Sequence, residues 1–236
     1  MLLGGVQQYT MIDYPGKLAC VVFTMWCNFR CPFCHNPESV LPELIQQQRH
    51  NMIDEEAFFG FLRERQGKLD AVSICWGEPT LHPDLPAFAR RIKSLGYLVK
   101  LDTNGRDAQM IEEMLGDEVL DYVAVDMKHT PDQYAQATGG ELSMDFRWNF
   151  ESLLDILKEW TIEYEYRTTV VKWMHSEDDI QAMAQYLEGI SNYYLQTYKA
   201  GNTLDPNFQG IAYNPLEMIE LQKIAAKYVR NCEVRE

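Results

Sequence analysis

The chain lacks a long hydrophobic run. Its most apolar stretch near the N-terminus, Leu18 to Cys27, falls far short of the ~18 residues a membrane-spanning helix needs. Met1 to Gln8 has no basic residues ahead of an apolar core, as a secretory signal would. A cytoplasmic protein without a membrane partner is therefore expected. Positive charge is also scarce: 21 Lys and Arg face 35 Asp and Glu, a formal net charge of −14. Phosphate backbones would be repelled, so nucleic acid is not an expected partner. Repeats, low-complexity tracts and long linkers are missing too, and only Lys199 to Gly210 reads as an extended loop. With 46% hydrophobic and 24% charged residues the composition is that of a globular protein, which excludes disordered and fibrous classes. One domain over residues 1–236 is expected, with a lead-in over 1–16 and a final helix from about Leu216 to Val229.

What is present is an alternation of short β-rich runs with helix-length segments. Strands are expected at Lys17–Met25, Ala71–Trp76, Tyr97–Asp102, Tyr122–Met127, Tyr164–Val171 and Tyr193–Tyr198. Helices are expected at Asp54–Gln66, with Asp54 as N-cap, and at Pro86–Ser94, Ala108–Leu115, Phe150–Trp160 and Asp178–Leu187. Apolar strands separated by helices imply parallel pairing, so the expected fold class is α/β: a partial (β/α)6 TIM-type barrel, laterally open. In parallel sheets of this kind chemistry collects at the C-terminal ends of the strands.

The six cysteines are Cys20, Cys27, Cys31, Cys34, Cys75 and Cys232. Three crowd into Cys27-Asn28-Phe29-Arg30-Cys31-Pro32-Phe33-Cys34, directly after the first expected strand. In a chain without export signals, thiolate metal ligands fit better than disulfides. Three thiolates can hold three irons of a [4Fe-4S] cluster and leave the fourth open to a small molecule. A structural zinc site would want four ligands, usually as two separated pairs, and no second Cys-x-x-Cys exists; His35 abuts Cys34 too closely to complete the same site easily. Cys20, Cys75 and Cys232 read as small buried apolar residues, and His82, His129 and His175 as turn or surface residues.

The three-plus-two cysteine spacing, with Phe33 before the last thiol, resembles the radical S-adenosylmethionine (SAM) superfamily. The block from Gly5 through Asp13-Tyr14-Pro15-Gly16-Lys17 into Cys27–Glu38 more closely resembles the anaerobic ribonucleoside-triphosphate reductase activating proteins, within the glycyl-radical-enzyme activases. The likeness continues through Gly77-Glu78-Pro79-Thr80-Leu81, Asp102-Thr103-Asn104-Gly105, Asp126-Met127-Lys128 and Arg167. It implies an enzyme that reductively cleaves SAM and generates a glycyl radical on a large partner, an anaerobic ribonucleotide reductase. A low-potential electron donor such as flavodoxin or ferredoxin would be required. Thiolate ligands in an acidic protein would lower the cluster potential in the needed direction.

The same resemblance implies residue roles. Cys27, Cys31 and Cys34 would hold the cluster. Phe33, Gly77, Glu78, Pro79, Thr80, Asp102, Thr103, Asn104, Asp126, Met127, Lys128 and Arg167 would border SAM, with the Glu78 carboxylate offered to its ammonium and Arg167 meeting its carboxylate or the aspartates. Tyr198, on the sixth strand, is only a weak candidate for adenosine contact. Asp102 and Asp126 are candidates for a Na⁺ or K⁺ site, since buried carboxylates need compensation. Asp13, Trp26 and Trp76 would face the partner, although Pro15-Gly16 alone also reads as a plain turn. Trp26 and Trp76 stand where the family pattern expects glycine, and pocket lining and core filling are both open for their indoles. Alternatives are a radical SAM enzyme acting on another peptide or a small metabolite, and a non-catalytic metal-binding or electron-transfer module.

Overall fold

The computed structural model describes residues 1–140 and 144–236. These residues divide into two compact units, the first comprising Met1–Asn28 and Asn36–Val123, the second Phe29–His35 and Ala124–Glu236. Eight strands are found among the described residues.

In the first unit, β1 (Leu3–Thr10) pairs antiparallel with β2 (Ala19–Thr24), Val6 opposite Val22. β3 (Ala71–Cys75) and β4 (Leu98–Thr103) follow in parallel, with Val22 opposite Ile74 and Ile74 opposite Leu101. Val22, Val72, Ile74, Val99 and Leu101 have no accessible surface, the two-sided burial that β-branched runs in parallel sheets produce. The helices are α1 (Pro42–Gln48), α2 (Glu55–Glu64), α3 (Leu85–Ser94) and α4 (Ala108–Gly116). Asp54 caps α2 as expected, accepting from the amides of Glu56 at 2.9 Å and Ala57 at 3.3 Å. The buried stripe of α2 seats Phe58 on Phe88 of α3, ring centres 5.6 Å apart.

β5 (Tyr122–Asp126) begins at the unit boundary. The second unit continues with α5 (Tyr134–Thr138), α6 (Met144–Glu159), β6 (Glu163–Val170), α7 (Glu177–Tyr186), β7 (Asn192–Thr197), α8 (Pro215–Ala225) and β8 (Asn231–Arg235). β6, β7 and β8 are parallel, Thr168 opposite Leu195 and Leu195 opposite Val234. α7 and α8 each start on a capping box, Ser176 with Asp179 and Asn214 with Glu217.

The α/β class and the parallel order are as expected, but six strands were expected and two more are found. β1 lies within the lead-in, where two glycines and two glutamines interrupt the alternation, and β8 is five residues with little apolar content. α1 and α5 are also additional, and α6 begins at Met144, upstream of the expected Phe150.

Candidate active site

In the first unit, the C-terminal ends of β2 and β3 meet through backbone in an unusual conformation. Trp26 (φ 74°) and Trp76 (φ 64°) are both left-handed, as is Gly77 (φ 53°). These are the positions where the family pattern carries glycine; the backbone keeps the glycine conformation although the residues are tryptophan. For a bulky L-residue this costs about 1–2 kcal/mol, and the surroundings hold it in place. The Trp26 amide donates to the Ser39 carbonyl at 2.8 Å, and the Trp26 carbonyl accepts from the Glu78 amide at 2.6 Å. The Trp76 carbonyl accepts from Thr24 Oγ1 at 2.6 Å, and the Trp76 indole stacks on Phe23, centres 4.0 Å apart. Gly77 is obligatory in this packing: a Cβ there would lie 2.3 Å from the Trp26 carbonyl oxygen.

Glu78 is 1% exposed and has no cationic partner among the described contacts; its carboxylate is filled by four donors instead. Oε1 accepts from the Thr80 amide (3.1 Å), the Thr80 hydroxyl (2.6 Å) and the Thr103 hydroxyl (2.8 Å). Oε2 accepts from the Asn104 amide at 2.6 Å. Burial pushes this carboxyl above its usual range while the donors hold it down. Through these donors the side chain joins the end of β3 to the end of β4. Pro79 and Thr80 sit in the short turn that Glu78 caps. Thr103, expected beside a cation, donates to Glu78 and accepts from the Gly105 amide at 3.1 Å.

Asp102 is ion-paired with Lys100, a strand lysine that is 1% exposed. Asp13 lies elsewhere. It accepts from Thr10 Oγ1 at 2.5 Å, and Thr10 pairs with Ala19 at the start of β2, whereas Trp26 follows its end. Six strand residues, roughly 20 Å, separate those ends. The structure thus brings Trp26 and Trp76 together but not Asp13 with them.

In the second unit, the segment Phe29–His35 is held by backbone. The Arg30 amide donates to Thr138 (2.8 Å), Leu204 to the Cys34 carbonyl (2.8 Å), Asp205 to Pro32 (3.1 Å), and Cys34 to Cys31 (3.0 Å). Gly139 (φ 72°) permits the first contact, since a Cβ there would meet the Arg30 carbonyl oxygen at 2.2 Å. Phe33 is 5% exposed and leans on Phe208.

Asp126, at the end of β5, receives Arg167 from β6 (Nε 3.0 Å, Nη2 2.9 Å) and Lys128 (2.9 Å). Burial opposes ionisation, yet Arg167 and Lys128 together hold the Asp126 carboxyl well below the usual carboxylate range. Burial also opposes the charge on Lys128, but Asp126 and the nearby Cys31 sulfur raise its pKa. Met127 is fully buried and donates its amide to the Arg167 carbonyl at 2.8 Å. Asp102 and Asp126 each therefore have protein cations beside them.

The three histidines lie in turn segments outside the helices and strands, as expected, but they are buried there and not at the surface. His82, His129 and His175 are 9%, 2% and 0% exposed. His82 Nε2 bonds the Met25 carbonyl at 2.8 Å. His175 accepts the Val171 amide at Nδ1 (3.0 Å) and donates from Nε2 to the Lys128 carbonyl (2.8 Å), stacked on His129 at 5.1 Å. Burial depresses His175 to about 4. Sequence reasoning also missed Lys100 and Asn28. Lys100 had a signal: a lysine in an apolar strand, two residues from an aspartate on the same face.

None of the six cysteines is in a disulfide. Burial pushes the Cys20 and Cys232 thiols up to about 12, which keeps them protonated. Cys27, Cys31 and Cys34 remain as a soft donor set on one short stretch of chain, with the chemistry an iron-sulfur cluster requires. Among the described residues, no three His, Cys, Asp or Glu side chains are gathered closely enough to hold a metal ion.

Residues 21–187 match the profile of the Radical SAM superfamily. A Methanocaldococcus jannaschii protein provisionally named a glycyl-radical enzyme activating enzyme is 33% identical over 239 residues, covering 99% of this chain and 95% of its own. The pyruvate formate-lyase-activating enzyme of Clostridium pasteurianum is 25% identical over 194 residues, 79% of this chain and 76% of its own. Among solved structures, Streptococcus suis SuiB shares the fold at a TM-score of 0.69 and 15% identity, covering 92% of this chain. This chain spans about half of SuiB, 49% of its length. None of these relatives is named for a ribonucleotide reductase.

Proposed function

This chain belongs to the radical SAM superfamily, and from that premise we propose that it activates a glycyl-radical enzyme, an anaerobic ribonucleotide reductase. The observation that carries the reading is the set of three cysteines at three-plus-two spacing, Cys27, Cys31 and Cys34, directly after β2 and not in disulfides. Cys20, Cys75 and Cys232 are buried and scattered along the chain. The motif blocks around Asp13–Lys17 and Cys27–Glu38 support the choice of partner.

In this reading Cys27, Cys31 and Cys34 hold a [4Fe-4S] cluster. When bound, the cluster and SAM supply one-electron reduction of a sulfonium and, from it, hydrogen-atom abstraction. The chain's own residues orient and exclude water. Gly77 lets backbone approach closely, Glu78 fixes the ends of β3 and β4, and Arg167 with Lys128 keeps Asp126 ionised. The indoles of Trp26 and Trp76 face the partner. With a net charge of −14 the chain meets a complementary basic patch, so activation weakens as salt rises. The electron comes from a flavodoxin or ferredoxin in the cytoplasm. A Na⁺ or K⁺ beside Asp102 or Asp126 adds to the compensation from Lys100, Arg167 and Lys128, and activation assayed with each cation in turn tests its role.

The deciding experiment incubates reduced, iron-loaded protein with SAM and the reductase under anaerobic conditions. A glycyl radical EPR signal on the reductase is expected. SAM cleavage without any glycyl radical overturns the activase reading, and a radical formed on pyruvate formate-lyase but never on the reductase overturns the choice of partner.

A further inference from the structure

Glu78 is a buried carboxylate with no cation among its described contacts, and what its hydrogen bonds hold in place is the first cysteine. Two anchors flank Cys27, and both lead back to Glu78. On one side the Trp26 carbonyl accepts the Glu78 backbone amide at 2.6 Å. On the other, the Glu78 carboxylate fixes the Asn104 amide at 2.6 Å, and Asn104 Nδ2 donates to Asn28 Oδ1 at 2.8 Å. Asn28 immediately follows Cys27.

The direction of the second anchor is set by its surroundings. Asn104 Oδ1 accepts the Arg106 amide at 3.1 Å, which leaves Nδ2 as the group facing Asn28, so Asn28 must present an acceptor. Asn104 is 5% exposed and cannot trade this bond for water at little cost, whereas Asn28 is exposed and has no other described hydrogen bond. The contact therefore satisfies a buried donor of Asn104, and it also restricts the backbone next to the Cys27 thiol. A ligand loop fixed before the metal arrives loses less entropy on binding.

We propose that Asn104 and Asn28, set by Glu78, are positioning residues that present Cys27 to the iron-sulfur cluster. The inference rests on the cluster reading above and concerns how the site is preorganised, not which reaction follows.

The test uses the full chain, reconstituted anaerobically with iron and sulfide, and reads iron per chain, the rate of iron loss to a chelator, and the thermal midpoint of the metal-free protein. Asn28→Asp keeps the acceptor and should retain iron as the parent does. Asn104→Asp should also retain it, because the exposed Asn28 amide can turn over and donate. The Asn28→Asp, Asn104→Asp double variant sets two carboxylates face to face and should lose iron about ten-fold faster, the effect of one broken hydrogen bond at the upper end of the usual range. Asn28→Ala should also lose iron about ten-fold faster, while Asn28→Asp, which restores the acceptor, should hold it as the parent does; Asn28→Ala serves if the buried double variant fails to fold. If Asn28→Ala loads and holds iron like the parent, the inference is overturned. A parent protein that takes up no iron would instead defeat the cluster reading itself.

Discussion

Trp26 offers a clean measure of how firmly the site holds its backbone. Its φ is 74°, its side chain is 39% exposed, and its peptide groups are tied to Ser39 at 2.8 Å and Glu78 at 2.6 Å. Because both ties are backbone bonds, they persist whatever side chain is present, and the residue cannot relax to a negative φ. Alanine keeps the strain, while glycine removes it at the cost of greater freedom in the unfolded chain. At positive φ the strain outweighs that entropy, so Trp26→Gly should be more stable than Trp26→Ala by about 1 kcal/mol. In a protein of this size that corresponds to a difference of about 2–4 °C in midpoint. Gly60, in α2, supplies the opposite control. A Cβ there meets nothing closer than 3.9 Å, so Gly60→Ala should stabilise by about 0.5–1 kcal/mol. Thermal unfolding of the metal-free variants makes the comparison. A Trp26→Ala protein at least as stable as Trp26→Gly would refute the claim of enforced strain. At Trp76 the stack on Phe23 at 4.0 Å is lost as well, and its about 0.5–1.5 kcal/mol, with the area uncovered, should leave Trp76→Gly below the parent.

Three further outcomes are expected. His175 is held neutral at about 4 by burial, while in the unfolded chain it binds a proton below about 6.5, so the unfolded state carries the extra proton between those values. Stability should therefore be full above about pH 6.5 and fall by up to roughly 3 kcal/mol toward pH 4. His175→Gln, still able to serve the Lys128 carbonyl, should flatten that limb in urea titrations, and identical slopes would contradict the assignment. Arg167→Met should destabilise by about 2–3 kcal/mol because it strips Asp126 of two hydrogen bonds at 2.9 and 3.0 Å, and pairing it with Asp126→Asn should recover part of the loss. If the double variant fared no better than the single, the charge argument would fail. Finally, Cys20→Ala and Cys232→Ala should leave iron content at the parent level, whereas any of Cys27→Ala, Cys31→Ala or Cys34→Ala should abolish stable loading.

The sequence carried most of what periodicity can carry. β2, β3 and β5 are short apolar runs buried on both faces, and their signal survived for that reason. β1 was hidden because half of it faces solvent and Gly4, Gly5, Gln7 and Gln8 break the alternation. Within the site, the thiol spacing was legible because three ligands share one loop. The internal contacts of Glu78 were not, because a carboxylate in a strand-end turn does not reveal in local sequence the four amide and hydroxyl donors that meet it. Asn28 was invisible for a similar reason: its partner, Asn104, lies 76 residues away. The histidines fall in turn segments, as expected, but their burial was not legible, because a neutral, hydrogen-bonded imidazole buries readily and local sequence does not reveal the backbone carbonyls that satisfy His82, His129 and His175.

The central claim is that three cysteines seat an iron-sulfur cluster with one iron left for SAM. It is tested most directly by iron and sulfide quantification and EPR of the anaerobically reconstituted, reduced protein, recorded with and without SAM. About four irons per chain and a spectrum that changes when SAM is added are predicted. Zinc in place of iron, or a cluster whose spectrum is indifferent to saturating SAM, would contradict it.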